Sequence, residues 1–249
     1  MGKIIGNGSS CRVYNATWRG TDVAVKVFTG VNRGAVEKEF ANEVATMAKL
    51  GAHPSLVLFL AVTQQPLSIV FEYLPFSLFE LINGVEDKTR KLPSFPSSWT
   101  KRVTMMLDIA KGLQFLHSFD IIHRNLLVTP EGRVKLADFG ISRVAQQSDL
   151  MTGCCGTYQW MAPSAPPLNV IPTVHREVLQ SAAYSVSADI YSFGIIMWEI
   201  CETSPPFADL APPLVPAAVL RDRKRPLFGS RTPLVREPQY PIPSLLRSY

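Results

Sequence analysis

The stretch Ile121–Gly140, IIHRNLLVTPEGRVKLADFG, constrains the chain most. Alternating apolar residues in Leu126–Val128 and in Val134, Leu136 and Ala137 flank Thr129-Pro130-Glu131-Gly132. The pattern predicts a β-hairpin that turns at Pro-Glu-Gly. Polar His123, Arg124 and Asn125 precede it, and Asp138-Phe139-Gly140 follows. A hairpin with an Asn at one end and an Asp at the other can hold a metal between two oxygens, and Mg²⁺ takes such hard ligands.

Residues 3–28 predict strands around a glycine turn, Gly6-Asn7-Gly8-Ser9-Ser10-Cys11, which is G-x-G-x-x-G with Cys11 at the third glycine. Alone, that spacing is more commonly a plain hairpin turn. Val23-Ala24-Val25-Lys26 follows on the next strand. Residues 36–50 predict a helix, with Val36, Phe40, Val44, Met47 and Leu50 as one apolar stripe. Glu37, Glu39 and Glu43 lie along it, and a helical Glu is by default a solvated charge. Leu67–Leu74 predicts a strand carrying Phe71, and residues 84–98 predict a loop. Trp99–Ser118 predicts a helix burying Val103, Met106, Leu107, Ala110, Leu113 and Leu116. Ser187-Ala188-Asp189 reads as the cap of a buried helix, Ile190–Ile200.

Four strings then stand in order: W-R-G-T-D-V-A-V-K at 18–26, the H-R-N…D-F-G stretch, G-T-Y-Q-W-M-A-P at 156–163, and Y-S-x-x-A-D-I-Y-S-F-G-I from Tyr184. Over residues 3–227 the chain resembles the protein kinases, and the G-T-Y-Q-W-M-A-P string resembles the tyrosine-kinase-like group of serine/threonine kinases. The resemblance implies an α+β, two-lobe fold. Residues 1–73 would be a small β-rich N-lobe and 74–227 a helical C-lobe truncated at its C-terminal end. Residues 228–249 fall outside the pattern and are expected to be disordered.

The implied ligands are ATP and Mg²⁺. Gly6 and Gly8 would cover the phosphates with backbone N–H groups, and Lys26 would hold the α- and β-phosphates. Glu43 is favoured as the partner of Lys26 because it precedes the stripe residue Val44. Val13, Ala24 and Leu127 would sandwich adenine, the backbone at Glu72 and Leu74 would pair with it, and Phe71 would sit behind. Asn125 and Asp138 would hold the metal. Of the two loop threonines, Thr157 would be a phosphate acceptor whereas Thr152 reads by default as a solvated loop residue, and Asp189 would tie down the catalytic-loop backbone.

Two departures interrupt the pattern. The family spaces His and Asn seven positions apart in H-R-D-L-x-x-x-N. Here His123 and Asn125 are two apart, so five residues are missing at 124/125, although Asn125 to Asp138 keeps the family's thirteen. Taking Asn125 as a substituted base would put Pro130 at the metal-binding Asn. The catalytic Asp and the Lys two residues beyond it are therefore absent. Downstream, A-P-E is split: Ser164–Arg176 intervenes before Glu177-Val178-Leu179. This insert carries Pro166, Pro167 and Pro172 without helical period and is expected to be irregular.

Three readings stay open. One is an active serine/threonine kinase with a replacement base. A second is a catalytically dead pseudokinase that binds nucleotide or a partner. The third is a fragment of an ordinary kinase from a shifted exon boundary, which the intact frame beyond both length changes favours as the origin.

Composition narrows the setting. No apolar run approaches a membrane span. Cys11, Cys154, Cys155 and Cys201 lack metal spacing and read as reduced thiols of a cytoplasmic protein. The net charge of +5 resides in residues 219–249, with seven Lys/Arg against two Asp/Glu, so it does not argue for a nucleic-acid partner. A protein substrate or signalling partner is expected instead.

Overall fold

The computed structural model describes residues 2–8, 10–84, 92–119, 125–137, 157–160 and 186–229, with the side chains of 125, 157–158 and 186–188 excepted. The architecture is mixed α+β, in two compact units. One gathers the described residues of 1–79 and 107–152, the other those of 80–106 and 153–249.

The first unit is built on an antiparallel sheet in the order β1-β2-β3-β5-β4. Its strands are β1 (Ile4–Asn7), β2 (Cys11–Trp18), β3 (Thr21–Phe28), β4 (Phe59–Gln64) and β5 (Leu67–Glu72). Strands β2 and β3 join through Arg19-Gly20, both at positive φ (53° and 82°), the two-residue turn that matches strand twist. Alternation divides β3 between two faces. Val23, Val25 and Val27 pack with Val70, Tyr14 and Ala16 on one. On the other, Phe28 and Ile69 pack with Val36, Phe40, Val44 and Phe71.

That second face is covered by α1 (Arg33–Leu50), three residues longer at its start than expected. Asn32 caps it by accepting from Ala35 N at 3.2 Å. Strand β4 was not foreseen. A second sheet, β6-β7-β8, comprises Phe76–Ser77, Asn125–Val128 and Val134–Ala137. The β7–β8 turn closes with Gly132 N donating to Thr129 O and Thr129 N to Arg133 O, both at 2.9 Å. Gly132 takes a φ of 82°, which glycine adopts without strain.

Helix α2 (Leu78–Asn83) follows β6, and α3 (Trp99–His117) contributes its first turns to the second unit and its later turns to the first. The expected buried face of α3 is corrected. Val103 and Leu107 are exposed, at 55% and 49%. The buried side is Met105, Asp108, Ile109, Leu113 and Leu116, with Gly112. Asp108 explains the rotation. Its carboxylate accepts from Arg133 Nε at 2.7 Å and from Val134 N at 3.1 Å, which turns that side of the helix onto the β7–β8 hairpin. Gly112 permits the contact, since a Cβ there would lie 2.5 Å from Leu136 Cδ1.

The second unit centres on α4 (Val186–Glu202) and α5 (Val215–Arg221), separated by a 3-10 turn at Pro212–Leu214. Ile195, Phe207, Val215 and Val219 form its core, with Trp160 and Tyr191 against it. The insert Ser164–Arg176, Glu177, Thr152 and residues 230–249 of the expected tail lie outside the described residues.

Candidate functional site: one face of the sheet and the hairpin strand

The sequence candidates fall on one row of the first sheet. Gly6 pairs with Val13, Val13 with Lys26, and Lys26 with Ile69. Residues directly opposite in antiparallel strands share a face, so Val13 and Lys26 point the same way as Ala24, two residues back. Ala24 in turn pairs with Phe71. Gly6 sits beside a bulge in β1, and the turn beyond it closes through Gly8 N to Cys11 O at 2.9 Å. A Cβ on Gly8 would stand 3.2 Å from Cys11 Sγ, so the turn has little room for a side chain there.

The three helical glutamates separate by geometry. Glu37 is exposed and pairs with Arg33 one turn back, at 3.0 Å. Glu39 accepts from Ser10 Oγ at 2.9 Å. Glu43 takes both oxygens to Lys26 Nζ, at 2.8 and 2.7 Å. The two side chains of that pair are only 10% and 2% exposed. The ammonium also lies 5.4 Å from the centre of the Phe28 ring. Placing an ion pair here costs desolvation that bidentate geometry only partly returns. The α1 stripe makes it possible, because Val36, Met47 and Leu50 bury the same side of the helix.

At the exit of β5, Phe71 and Leu127 each pack against the buried cluster of Val57, Leu74 and Ala137. The Glu72 carboxylate accepts from Leu58 N at 2.7 Å and pairs with Lys135 of β8. Its amide donates to Leu58 O at 3.0 Å. Among the described residues, no hydrogen bond engages the Leu74 amide.

Asn125 opens β7 and pairs with Ala137, the residue before Asp138. Asp138 itself, with His123 and Arg124, lies outside the described residues. Among the described residues, no group of three or more His, Cys, Asp or Glu is arranged to hold a metal.

In the second unit the G-T-Y-Q-W-M-A-P string enters the described residues as a 3-10 turn, Thr157–Trp160. Gln159 Nε2 donates to Pro206 O at 2.6 Å, and Ser192 Oγ to Trp160 O at 2.7 Å. Glu199 of α4 accepts from Trp160 Nε1 and from Asn83 Nδ2, each at 3.1 Å. Burial holds the Glu199 carboxyl above the usual carboxylate range, and its two donors partly offset this. Asp189 is buried in the first turn of α4. Sequence reasoning passed over Ser10, Asp108 and Glu199. The last carried a signal, being the one carboxylate in the apolar run Ile195–Ile200.

Comparison with known proteins identifies the family. The family model for protein tyrosine and serine/threonine kinase matches residues 1–228. "Probable serine/threonine-protein kinase drkB" of Dictyostelium discoideum is 37% identical over 96% of this chain and 32% of its own length. Serine/threonine-protein kinase CTR1 of Arabidopsis thaliana is 39% identical over 86% of this chain and 25% of its own length. Serine/threonine-protein kinase SIS8, also of Arabidopsis thaliana, is 38% identical over 88% and 20%. The chain thus spans a third or less of the length of these relatives. No helix among the described residues is long and apolar enough to cross a membrane. With a family model covering nearly its whole length and serine/threonine kinases as relatives, the chain belongs to the protein kinase family.

Proposed function

We propose that this chain is a serine/threonine kinase domain that binds Mg·ATP weakly and transfers phosphate poorly or not at all. In this reading 1–73 is the N-lobe, 74–227 the C-lobe with its insert at 164–176, and 228–249 a tail outside the domain. Lys26, held by Glu43, neutralises charge on the phosphates. Gly6 and Gly8 let the backbone approach them. Val13, Ala24 and Leu127 flank adenine, and the backbone at Glu72 and Leu74 receives its edge, the free Leu74 amide supplying a donor. Asn125, and Asp138 one residue beyond its ladder partner Ala137 in sequence, would supply hard oxygen donors of the kind that suits Mg²⁺. When bound, the ion neutralises phosphate charge.

The observation that carries the reading is the place of Asn125. It stands in the β7 ladder opposite Ala137. Only His123-Arg124 precedes it where the family has seven positions from His to Asn. Two residues span at most about 7 Å. No Asp is present to accept the substrate hydroxyl's proton, and no Lys follows it near the transferred phosphate. Loss of the base alone costs on the order of 10²–10⁴ in rate, or about 3–5 kcal/mol of barrier. The same reading takes a protein as substrate or partner and places the chain in the cytoplasm.

The test is transfer of radiolabelled phosphate to a generic protein substrate, with Asp138→Asn as control, beside calorimetric titration with Mg·ATP. The expected result is binding that weakens in Lys26→Ala, with transfer at background. Robust transfer that disappears in Asp138→Asn would show that another residue has taken over the base's role.

A further inference from the structure

We propose that Ser10 and Glu39 form a latch that positions the glycine-rich segment against α1. Its functional meaning rests on the reading of residues 6–11 as the phosphate-covering segment. Helix α1 carries two inward carboxylates one turn apart, and each holds a different part of that site. Glu43 holds Lys26 on β3. Glu39 accepts from Ser10 Oγ at 2.9 Å, across 29 residues of sequence. Ser10 is held a second time, its carbonyl accepting from Thr29 N at 2.9 Å. The segment leaving β3 is itself pressed close. A Cβ on Gly30 would lie 2.6 Å from Val36 Cγ2 and 3.8 Å from Ser10 Cβ. The end of the glycine-rich segment, the exit of β3 and the first turns of α1 thus form one contact chain.

This arrangement couples two variables that nucleotide binding requires. If α1 moves away from the sheet, the Lys26 ammonium loses Glu43 and the glycine-rich segment loses Glu39 together. If α1 stays, the segment is held down before any nucleotide arrives, which lowers the ordering cost of binding. Ser10 and Glu39 are positioning residues and take no part in the chemistry. A solvated helical Glu, the bland alternative for position 39, would need no partner across the sheet.

Amide hydrogen exchange on the nucleotide-free chain tests the latch directly. Ser10→Ala and Glu39→Ala should each speed exchange in residues 6–12 and at Thr29 by about three- to tenfold, the loss of one partly exposed hydrogen bond. The double variant should add nothing further, because both changes break the same bond. Glu39→Gln keeps an acceptor oxygen and should restore most of the protection, while residues 40–50 exchange as in the parent in every variant. A fluorescent ATP analogue should dissociate several-fold faster from Ser10→Ala and Glu39→Ala than from the parent. Unchanged exchange in Glu39→Ala, or additive effects in the double variant, would overturn the latch. If the parent binds no analogue at all, the nucleotide reading fails while the exchange measurement still decides whether the latch exists.

Discussion

The Lys26–Glu43 pair offers the sharpest separation of function from stability. Its side chains are 10% and 2% exposed, and both Glu43 oxygens lie within 2.8 Å of the ammonium. Glu43→Ala would strip the ammonium of this partner while leaving it under α1. Breaking a buried pair from one side costs about 3–5 kcal/mol. That is a large share of the ~5–15 kcal/mol by which a domain is stable. The double replacement Lys26→Met/Glu43→Leu removes both charges, and the apolar neighbours Phe28, Val36 and Ile69 can receive the new side chains. Replacing a buried pair by packed apolar residues is commonly neutral or stabilising by about 1–4 kcal/mol.

The expectation is therefore non-monotonic. The single variant is strongly destabilised, whereas the double variant is as stable as the parent or more so. Nucleotide affinity falls in both, by at least about tenfold for loss of one charge-assisted hydrogen bond to phosphate. Urea unfolding followed by circular dichroism measures the first quantity, and titration with Mg·ATP the second. A double variant destabilised as much as Glu43→Ala would show that the pair is kept for stability. Unchanged ATP affinity in the double variant would remove Lys26 from the nucleotide site.

Gly112→Ala should destabilise. Its helix-propensity gain of about 1 kcal/mol is set against a Cβ only 2.5 Å from the fully buried Leu136, an overpacking that costs about 1–3 kcal/mol; denaturant midpoints measure the net. Burial raises the Glu199 carboxyl above its unfolded value, so its contribution to stability is present at low pH and is lost as pH rises through the raised range. Thermal melts across that range should fall more steeply for the parent than for Glu199→Gln. Asn125→Ala should reduce the Mg²⁺ dependence of nucleotide binding while leaving metal-free binding unchanged, as read by titration with and without chelator. Restoring Asp-Leu-Lys-Ser-Xaa between Arg124 and Asn125 and deleting 164–176 should recover measurable phosphate transfer, and continued background activity in a folded variant would place the defect elsewhere.

What could be read from the sequence was whatever local periodicity dictates. The β7–β8 hairpin announced itself through alternation and Pro-Glu-Gly, and α1 through one apolar stripe. Helix α3 misled because it carries two apolar stripes. Val103 and Leu107 face solvent, while the buried side, with Met105, Ile109, Leu113 and Leu116, also includes Asp108 and Gly112, residues that no apolar count would choose. The run Val57–Val62 is apolar without alternation, so β4 gave no period to detect. The Ser10–Glu39 bond depends on where α1 settles against the sheet, which no local window contains.

The missing five residues can be judged by the same logic. The register of β7 is set by its two neighbours, β6 and β8. The Thr129–Gly132 turn fixes which residues oppose one another, and β8 is pinned to its neighbours through Asp108 to Arg133 and Val134, Leu136 N to Ser55 O at 2.8 Å, and Val57 N to Leu136 O at 2.9 Å. These contacts engage Ser55, Val57, Asp108 and residues 129–136, all at a distance in sequence from 124/125. The described ladder contacts do not depend on the chain length at 124/125, so the effect of the missing residues is expected upstream, on the approach to Asn125. If Lys26, Glu43 and the glycine-rich segment hold the nucleotide as proposed, the length change at 124/125 is expected to disturb the orientation of the substrate hydroxyl more than the binding of nucleotide.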